Sequence, residues 1–355
     1  MAGSALRTYT GAIHIHTDRS DGGGSLDDVV TAARQSGIDF VVLTDHGTRG
    51  YGRDNREGWH GNVLVLCGEE VSTDDGHLLA FETRDDIGEM RDVESALKAI
   101  NDQHGTAVSI HHQLPSLGAE ATLVPPPVPL RQTQMIEIWS FMDEFLARCQ
   151  PRYLQQAASR PEKLINGPSR RLLWQWDRAL AKRRYPAFAG LNVHARKQPL
   201  LEWKTMFSYQ AAFQSVVTCV QCHELPQVSL RARDLVWAAL REGRSFMQNR
   251  SVSDEKGFDF HYQSSDGRLR HMGDDAAYDR KGRFFIKIPR DAEVVLRHNG
   301  QPFFWGTAKE ASFPVAGPGS YRVEVYLNRR TWILSNAIRL NDDDGVIQPT
   351  VSDLT

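Results

Sequence analysis

The chain has 355 residues, 42 Lys and Arg against 44 Asp and Glu, a formal net charge of −2 and 41% hydrophobic residues. That length accommodates one large core and a smaller second unit, and the near balance of charge excludes bulk electrostatic binding to nucleic acid. There is no signal-like apolar stretch at the start, no run of about 18 apolar residues, and only four cysteines, which together predict a soluble cytoplasmic protein without a membrane contact.

In chain order, the first element is an apolar strand carrying His14-Ile15-His16. Residues two apart in a strand point the same way, so both imidazoles can approach one metal ion. Asp21 follows within Ser20-Asp21-Gly22-Gly23-Gly24, whose amides are candidates for contact with phosphate. Ser25 with Asp28 marks a helix start. Leu26, Val29, Val30 and Ala33 line one face of this helix and Gly37 ends it. A buried strand at 38–43 then delivers Thr44-Asp45-His46-Gly47.

The pattern recurs downstream. A strand at 63–66 leads into Gly68-Glu69-Glu70, and His77 lies on the next apolar run. After a helix at 92–104, a strand from Thr106 ends in His111-His112. Pro125, Pro126, Pro127 and Pro129 mark a loop before a strand at 135–139, and the strand beginning at Ala187 ends in Asn192-Val193-His194. Apolar strand-length runs keep ending in residues that bind metals, and sites of parallel α/β folds gather at such ends. A multinuclear metal site follows. Residues 211–220 read as a strand, and a final helix at 232–241 closes at Gly243. The first of these carries Cys219-Val220-Gln221-Cys222-His223, a haem-attachment pattern that calls for an exported chain and is set aside here.

His-x-His, Asp-Gly, Thr-Asp-His, Gly-x-Glu, a lone His, a His after a strand and a closing Gly-x-Asn-x-His resemble, in this order, the PHP (polymerase and histidinol phosphatase) family over about residues 9–250. The resemblance implies an α/β fold, a distorted (β/α)7 PHP barrel, with two or three divalent ions (Zn, Mn or Fe) at the C-terminal rim. By position, one ion takes His14, His16 and Glu70, which bridges to a second held by His77 and His111; a third takes Asp21, His46 and His194. The family has Asp where this chain has Asn192, whose amide oxygen is an uncharged ligand for the first ion.

The remaining residues supply candidates for substrate work. Asp45 and His112 stand beside ligands and are candidate general acids or orienters. Arg19, Arg49 and Arg53 lie in loops after ligand-bearing strands and are candidates for holding phosphate. Residues 1–130 hold 20 acids against 9 bases, whereas 131–197 hold 13 bases against 5 acids. The basic stretch is centred on a helix bearing Arg170, Arg171, Arg178, Lys182, Arg183 and Arg184, which reads first as a solvated face and second as a basic lip for anionic substrates.

After about residue 255 short alternating runs are separated by turns such as Asn299-Gly300 and Gly317-Pro318-Gly319. This predicts a PHP unit at 1–255 and an antiparallel, Ig-like β-sandwich at 256–355. Trp332-Ile333-Leu334-Ser335-Asn336-Ala337-Ile338 is similar to an ending found in PHP proteins related to carbaryl hydrolases. The expectation is a metal-dependent phosphoesterase acting on a small anionic phosphomonoester or nucleotide. The alternatives are a carbamate, amide or ester hydrolase with the same site, or a non-catalytic binding protein with a degraded metal site. Oligomeric state is not encoded in any motif.

Overall fold

The computed structural model describes residues 6–112, 127–198, 204–205 and 207–342, so Pro125 and Pro126 lie outside the described residues. The chain opens with β1 (Arg7–Ile15), α1 (Leu26–Gln35), β2 (Phe40–Leu43), β3 (Gly58–His60) and β4 (Val63–Cys67). Ser25 and Asp28 form a reciprocal capping box at the start of α1, satisfying two amides that the first helical turn would otherwise leave unpaired. Beyond Gly68 come β5 (Glu69–Thr73), β6 (Gly76–Phe81), α2 (Val93–Asp102), β7 (Thr106–Ser109) and β8 (Met135–Ser140). Then follow α3 (Phe141–Arg148), α4 (Leu154–Ser159), α5 (Arg170–Leu180), β9 (Ala187–Gly190) and the small hairpin β10 (Lys197–Gln198) and β11 (Lys204–Thr205). This half ends with α6 (Tyr209–Phe213), β12 (Val216–Cys222), α7 (Ser229–Glu242) and β13 (Ser245–Asn249).

These elements make a mixed α/β fold that differs from an evenly alternating (β/α)7 barrel. One sheet carries the order β3-β4-β2-β1-β12-β13, and the other is β5-β6-β7-β8-β9. β4 continues through Gly68 into β5 with no helix between them, and β6 returns antiparallel to both β5 and β7. Backbone hydrogen bonds join the two sheets at both margins. Glu70 N–H donates to Asp45 O (3.0 Å) on one side, and His16 N–H donates to Val193 O (3.0 Å) on the other. The C-terminal ends of the parallel strands therefore share one rim, and the reversed β6 brings its N-terminal end to it.

Two local readings change. Residues 211–213 are helical because the Ser208 hydroxyl accepts the Ala211 amide and caps α6; the strand starts only at Val216. Cys219 and Cys222 are buried, unpaired thiols three apart on β12, so they face opposite sides of the strand and do not converge on one group. Among the described residues no helix is long and apolar enough to cross a membrane.

The second half contains β14 (Asp259–Gln263), β15 (Leu269–His271), β16 (Asp275–Ala277), β17 (Arg283–His298), β18 (Gln301–Pro314), β19 (Gly319–Leu327), β20 (Arg330–Ser335) and β21 (Ile338–Asn341). The alternating stretches at 284–288 and 293–297 belong to one strand, β17, with a register break between Lys287 and Ala292. Residues 332–340 instead split in two, since the Asn336 side chain turns to bond Ala187 and Ser245 in the first half. β20 pairs antiparallel with β13, so a single sheet crosses the expected boundary at 255. One apolar core likewise contains Trp139 and Trp176 together with Tyr321 and Trp332.

A buried charge network ties the halves together. Arg322 donates to both oxygens of Asp177 on α5 (2.6 and 2.7 Å) and to Glu324 (2.7 Å), with its guanidinium 5.1 Å from the Trp176 ring centre. Arg297 and the Tyr326 hydroxyl bond the other Glu324 oxygen at 2.9 and 2.8 Å. Burial works against the Glu324 carboxylate, but Arg322 and Arg297 outweigh it and depress the pKa from 4.5 to about 2. A folded pKa below the unfolded one contributes stability that is present above pH 4.5 and lost as pH falls toward 2. In urea titrations across that window the group is expected to account for a loss on the order of 3 kcal/mol. Glu324→Gln is expected to be less stable at pH 7 and to show a shallower acid dependence; equal acid dependence in the two proteins refutes the assignment.

Candidate metal centre

The site is assembled on the shared rim. His14 sits where the β1–β2 register slips between Ile13 and Ile15, and its φ is +67°. This bulge, rather than the flat alternation expected of His-x-His, turns both imidazoles to one carboxylate. His14 Nε2 lies 2.8 Å and His16 Nε2 3.1 Å from Glu70 Oε2. The other oxygen, Glu70 Oε1, is 3.1 Å from His77 Nδ1 and 3.2 Å from His111 Nε2. His77 is the second residue of β6, not the end of a strand; the antiparallel course of β6 is what brings it to the rim.

A third donor group surrounds Asp21. Its Oδ1 is 3.3 Å from His194 Nε2 and 3.7 Å from both His16 Nδ1 and His46 Nε2, with the His16 and His194 rings stacked at 4.0 Å. The structure thus groups His14, His16 and Glu70; Glu70, His77 and His111; and His16, Asp21, His46 and His194. His14, His16 and Glu70 are fully buried, whereas His46, His77, His194 and Asp21 are partly open, so the site has a closed floor and an accessible side.

Cations fit this constellation. Both His16 ring nitrogens and Asp21 Oδ1 are buried without a hydrogen-bond partner, a costly arrangement unless a ligand meets them. Burial lowers the His16 pKa to about 3, which keeps the ring neutral with a lone pair to offer. Burial opposes the Glu70 carboxylate, but His111, His14, His16 and His77 outweigh it and hold Glu70 well below the usual range. In the same way His194, with His16 and His46, overcomes burial and brings Asp21 to about 2. Neutral imidazole and ionised carboxylate form the donor set of zinc, manganese and iron.

Two carboxylates that the sequence did not disclose stand behind these donors. Glu137, on β8, accepts from His14 Nδ1 at 2.7 Å, and Gly190 is the residue that leaves room for it, since a Cβ there would lie 1.7 Å from Glu137 Oε1. Burial disfavours the charged His14 ring, yet Glu137 and Glu70 raise its pKa to about 9. Asp143, on α3, lies 3.3 Å from His111 Nδ1. Each carboxylate holds its imidazole with Nε2 aimed at Glu70. The only signal available beforehand was an acid within an otherwise apolar strand, Met135-Ile136-Glu137-Ile138-Trp139.

Asn192, expected among the ligands, gives its amide nitrogen to Asp143 Oδ1 at 3.3 Å and so braces the carboxylate behind His111. His111, His14 and Asn192 all have positive φ, local strain of the kind that persists where surroundings over-determine the backbone.

Other expected participants occupy different places. Asp45 accepts the Thr17 amide (2.7 Å), the Thr17 hydroxyl (2.8 Å) and the Ser20 hydroxyl (2.6 Å), which fixes the loop leading to Asp21. His112 Nε2 is 2.7 Å from the Ser109 hydroxyl, outside all three donor groups. Arg19 pairs with Asp54, Arg49 with Glu57 (3.0 Å) and Arg53 with Asp86 (3.0 Å), so these arginines tie their own loops together. The amides of Gly22 and Gly23 donate to Thr17 O and His194 O, and side chains there would strike His16 O and Ala195 O; close packing, not an anion cradle, calls for glycine. Among the described residues, Arg196 does reach the site. Its Nη1 lies 3.2 Å from Asp21 Oδ2, and its side chain is half exposed.

No family model matches the chain. An uncharacterized protein of Methanocaldococcus jannaschii is 28% identical over 88 residues, 24% of this chain and 52% of that protein; the chain spans about half the length of this curated relative. Among solved structures, a two-domain protein containing a predicted PHP-like metal-dependent phosphoesterase from Bacteroides vulgatus aligns with 95% of this chain and 97% of that one. The TM-score is 0.41 and the identity 12%. A candidate metal-dependent phosphoesterase from Bifidobacterium adolescentis aligns with 53% of this chain and 89% of that one, with TM-score 0.35 and 16% identity.

Proposed function

We propose that this chain is a hydrolase of PHP type that uses two or three divalent ions to cleave a small phosphomonoester or nucleotide. The observation carrying this reading is the set of three imidazole–carboxylate groups joined through Glu70 and His16. Bound there, divalent cations neutralise phosphate oxygens and make water a better nucleophile near neutral pH. The protein contributes the rest. Glu137 and Asp143 orient His14 and His111, and Asp45 holds the Thr17–Ser20 turn so that Asp21 faces His194. A substrate anion approaching the open side meets Arg196, whose remaining N–H groups are suited to bidentate contact with phosphate.

The test pairs metal analysis with turnover of p-nitrophenyl phosphate, p-nitrophenyl acetate and an aryl carbamate. Two or more ions per chain and hydrolysis of the phosphate alone support the reading. Hydrolysis confined to the ester or carbamate replaces it with carbonyl chemistry, and full metal content with no turnover indicates a binding protein. Arg196→Ala is expected to raise KM for the phosphate ester about tenfold, the loss of one charge-assisted contact, with kcat less affected and Lys partly restoring binding. An unchanged KM removes Arg196 from substrate recognition.

A further inference from the structure

Phe260 and Tyr262 are buried in the core, so alternation along β14 turns Asp259, His261 and Gln263 to its outer face. In the antiparallel pairing of β14 with β15, His261 stands directly opposite His271, which puts both imidazoles on that face. Their ring centres are 6.2 Å apart, between the 4.0 Å of His16 and His194 and the 6.5 Å of His46 and His77 in the candidate metal centre. On its other side His261 stacks on Phe285 of β17, at 5.1 Å and 15°. Asp259 accepts from His261 Nδ1 at 2.6 Å, the same relation that Glu137 has to His14. Among the described residues His261 Nε2 then has no protein partner.

His271 Nδ1 is buried and unpartnered, as the His16 nitrogens are. Burial lowers the His271 pKa against the opposing pull of Asp259 and Asp274, which favours the neutral ring with a lone pair to offer. Arg244, the nearby cation, is engaged by Glu242.

We propose that His261 and His271 form a further metal site, apart from the three donor groups on the rim, for one borderline divalent ion such as zinc. Neutral imidazole suits zinc and its neighbours in the transition series. Asp259 with His261 is the carboxylate–histidine unit that orients a ligand ring and raises its basicity. Hard cations such as magnesium call for oxygen donors and are not served by this pair. Two protein donors leave the remaining positions to water, so the ion is exchangeable and held less tightly than one in a three-residue group. Because the two histidines come from neighbouring strands, the ion ties β15, a short strand at the sheet margin, to β14.

Equilibrium dialysis of the full-length protein against increasing zinc, read by mass spectrometry, tests the site. His261→Ala and His271→Ala are each expected to hold one zinc per chain fewer than the parent at saturation. Asp259→Asn is expected to weaken that same equivalent about tenfold, whereas Gln263→Ala, on the same face, leaves it unchanged. Circular dichroism reports folding of each variant. Parental zinc content in either folded histidine variant overturns the proposal. Should both histidine variants fail to fold, Asp259→Asn decides, and unaltered zinc binding there overturns it equally. Because the readout is the difference between parent and variant, neither the number of ions on the rim nor the absence of phosphatase activity affects it.

Discussion

Glu70→Gln is expected to lower metal affinity by at least about 100-fold, since even groups behind the ligands are worth 10–100-fold, and to abolish hydrolysis with it. This single carboxylate lies within 3.2 Å of four imidazoles, His14, His16, His77 and His111. Glutamine preserves its size but removes the charge shared by two donor groups and replaces one acceptor oxygen by a donor. The discriminating control is the preceding residue. Consecutive strand residues face opposite ways, and Glu69 instead accepts the amides of Ile87 (2.8 Å) and Gly88 (2.7 Å). Glu69→Gln is expected to cost about 1–2 kcal/mol of stability and to leave metal content near the parental value. Metal content measured by mass spectrometry, alongside circular dichroism, separates the outcomes. Parental metal content in folded Glu70→Gln refutes the assignment of the centre.

Arg322→Ala is expected to destabilise the protein by roughly 3–5 kcal/mol, the range for removing one partner of a buried ion pair. The cost arises from what is left behind: Asp177 loses both of its Arg322 bonds, and Glu324 keeps only Arg297 and Tyr326. Arg322→Met combined with Asp177→Leu and Glu324→Leu is expected to recover much of that loss, because packed apolar groups replace buried charges without a desolvation penalty. Urea denaturation followed by tryptophan fluorescence measures both. A loss below about 1 kcal/mol, the range of surface pairs, shows that the network does not join the halves. Since Asp177 is on α5, the C-terminal half thereby sets the position of that helix. A chain cut near Gln248 would also uncover the edge of β13 that β20 now pairs, so the second half is a structural part of the fold rather than an appendage.

Local grammar was legible along the chain. Apolar spacing marked α1 and α2, with Ser25 as the cap of α1, and alternation with turn residues marked the β-rich half. These features depend on residues within a few positions of one another, so they are readable without knowing the fold. The residue types of the centre and their order along the chain were legible for the same reason, each lying in a short motif beside a strand.

The rest depends on pairing across long separations. The bulge at His14 comes from its register against β2, and the arrival of His77 at the rim comes from the antiparallel course of β6. Glu137 meets His14 across 123 residues, and Asp143 meets His111 across 32, so no local pattern connects them. The arginines show the same limit in reverse. Arg19, Arg49 and Arg53 have the sequence context of anion binders, but Asp54, Glu57 and Asp86 lie closer to them than the donor groups do. Arg196, which carries no motif, reaches Asp21 across 175 residues. Chemical type is written locally; which charge a side chain meets is set by how distant strands come together.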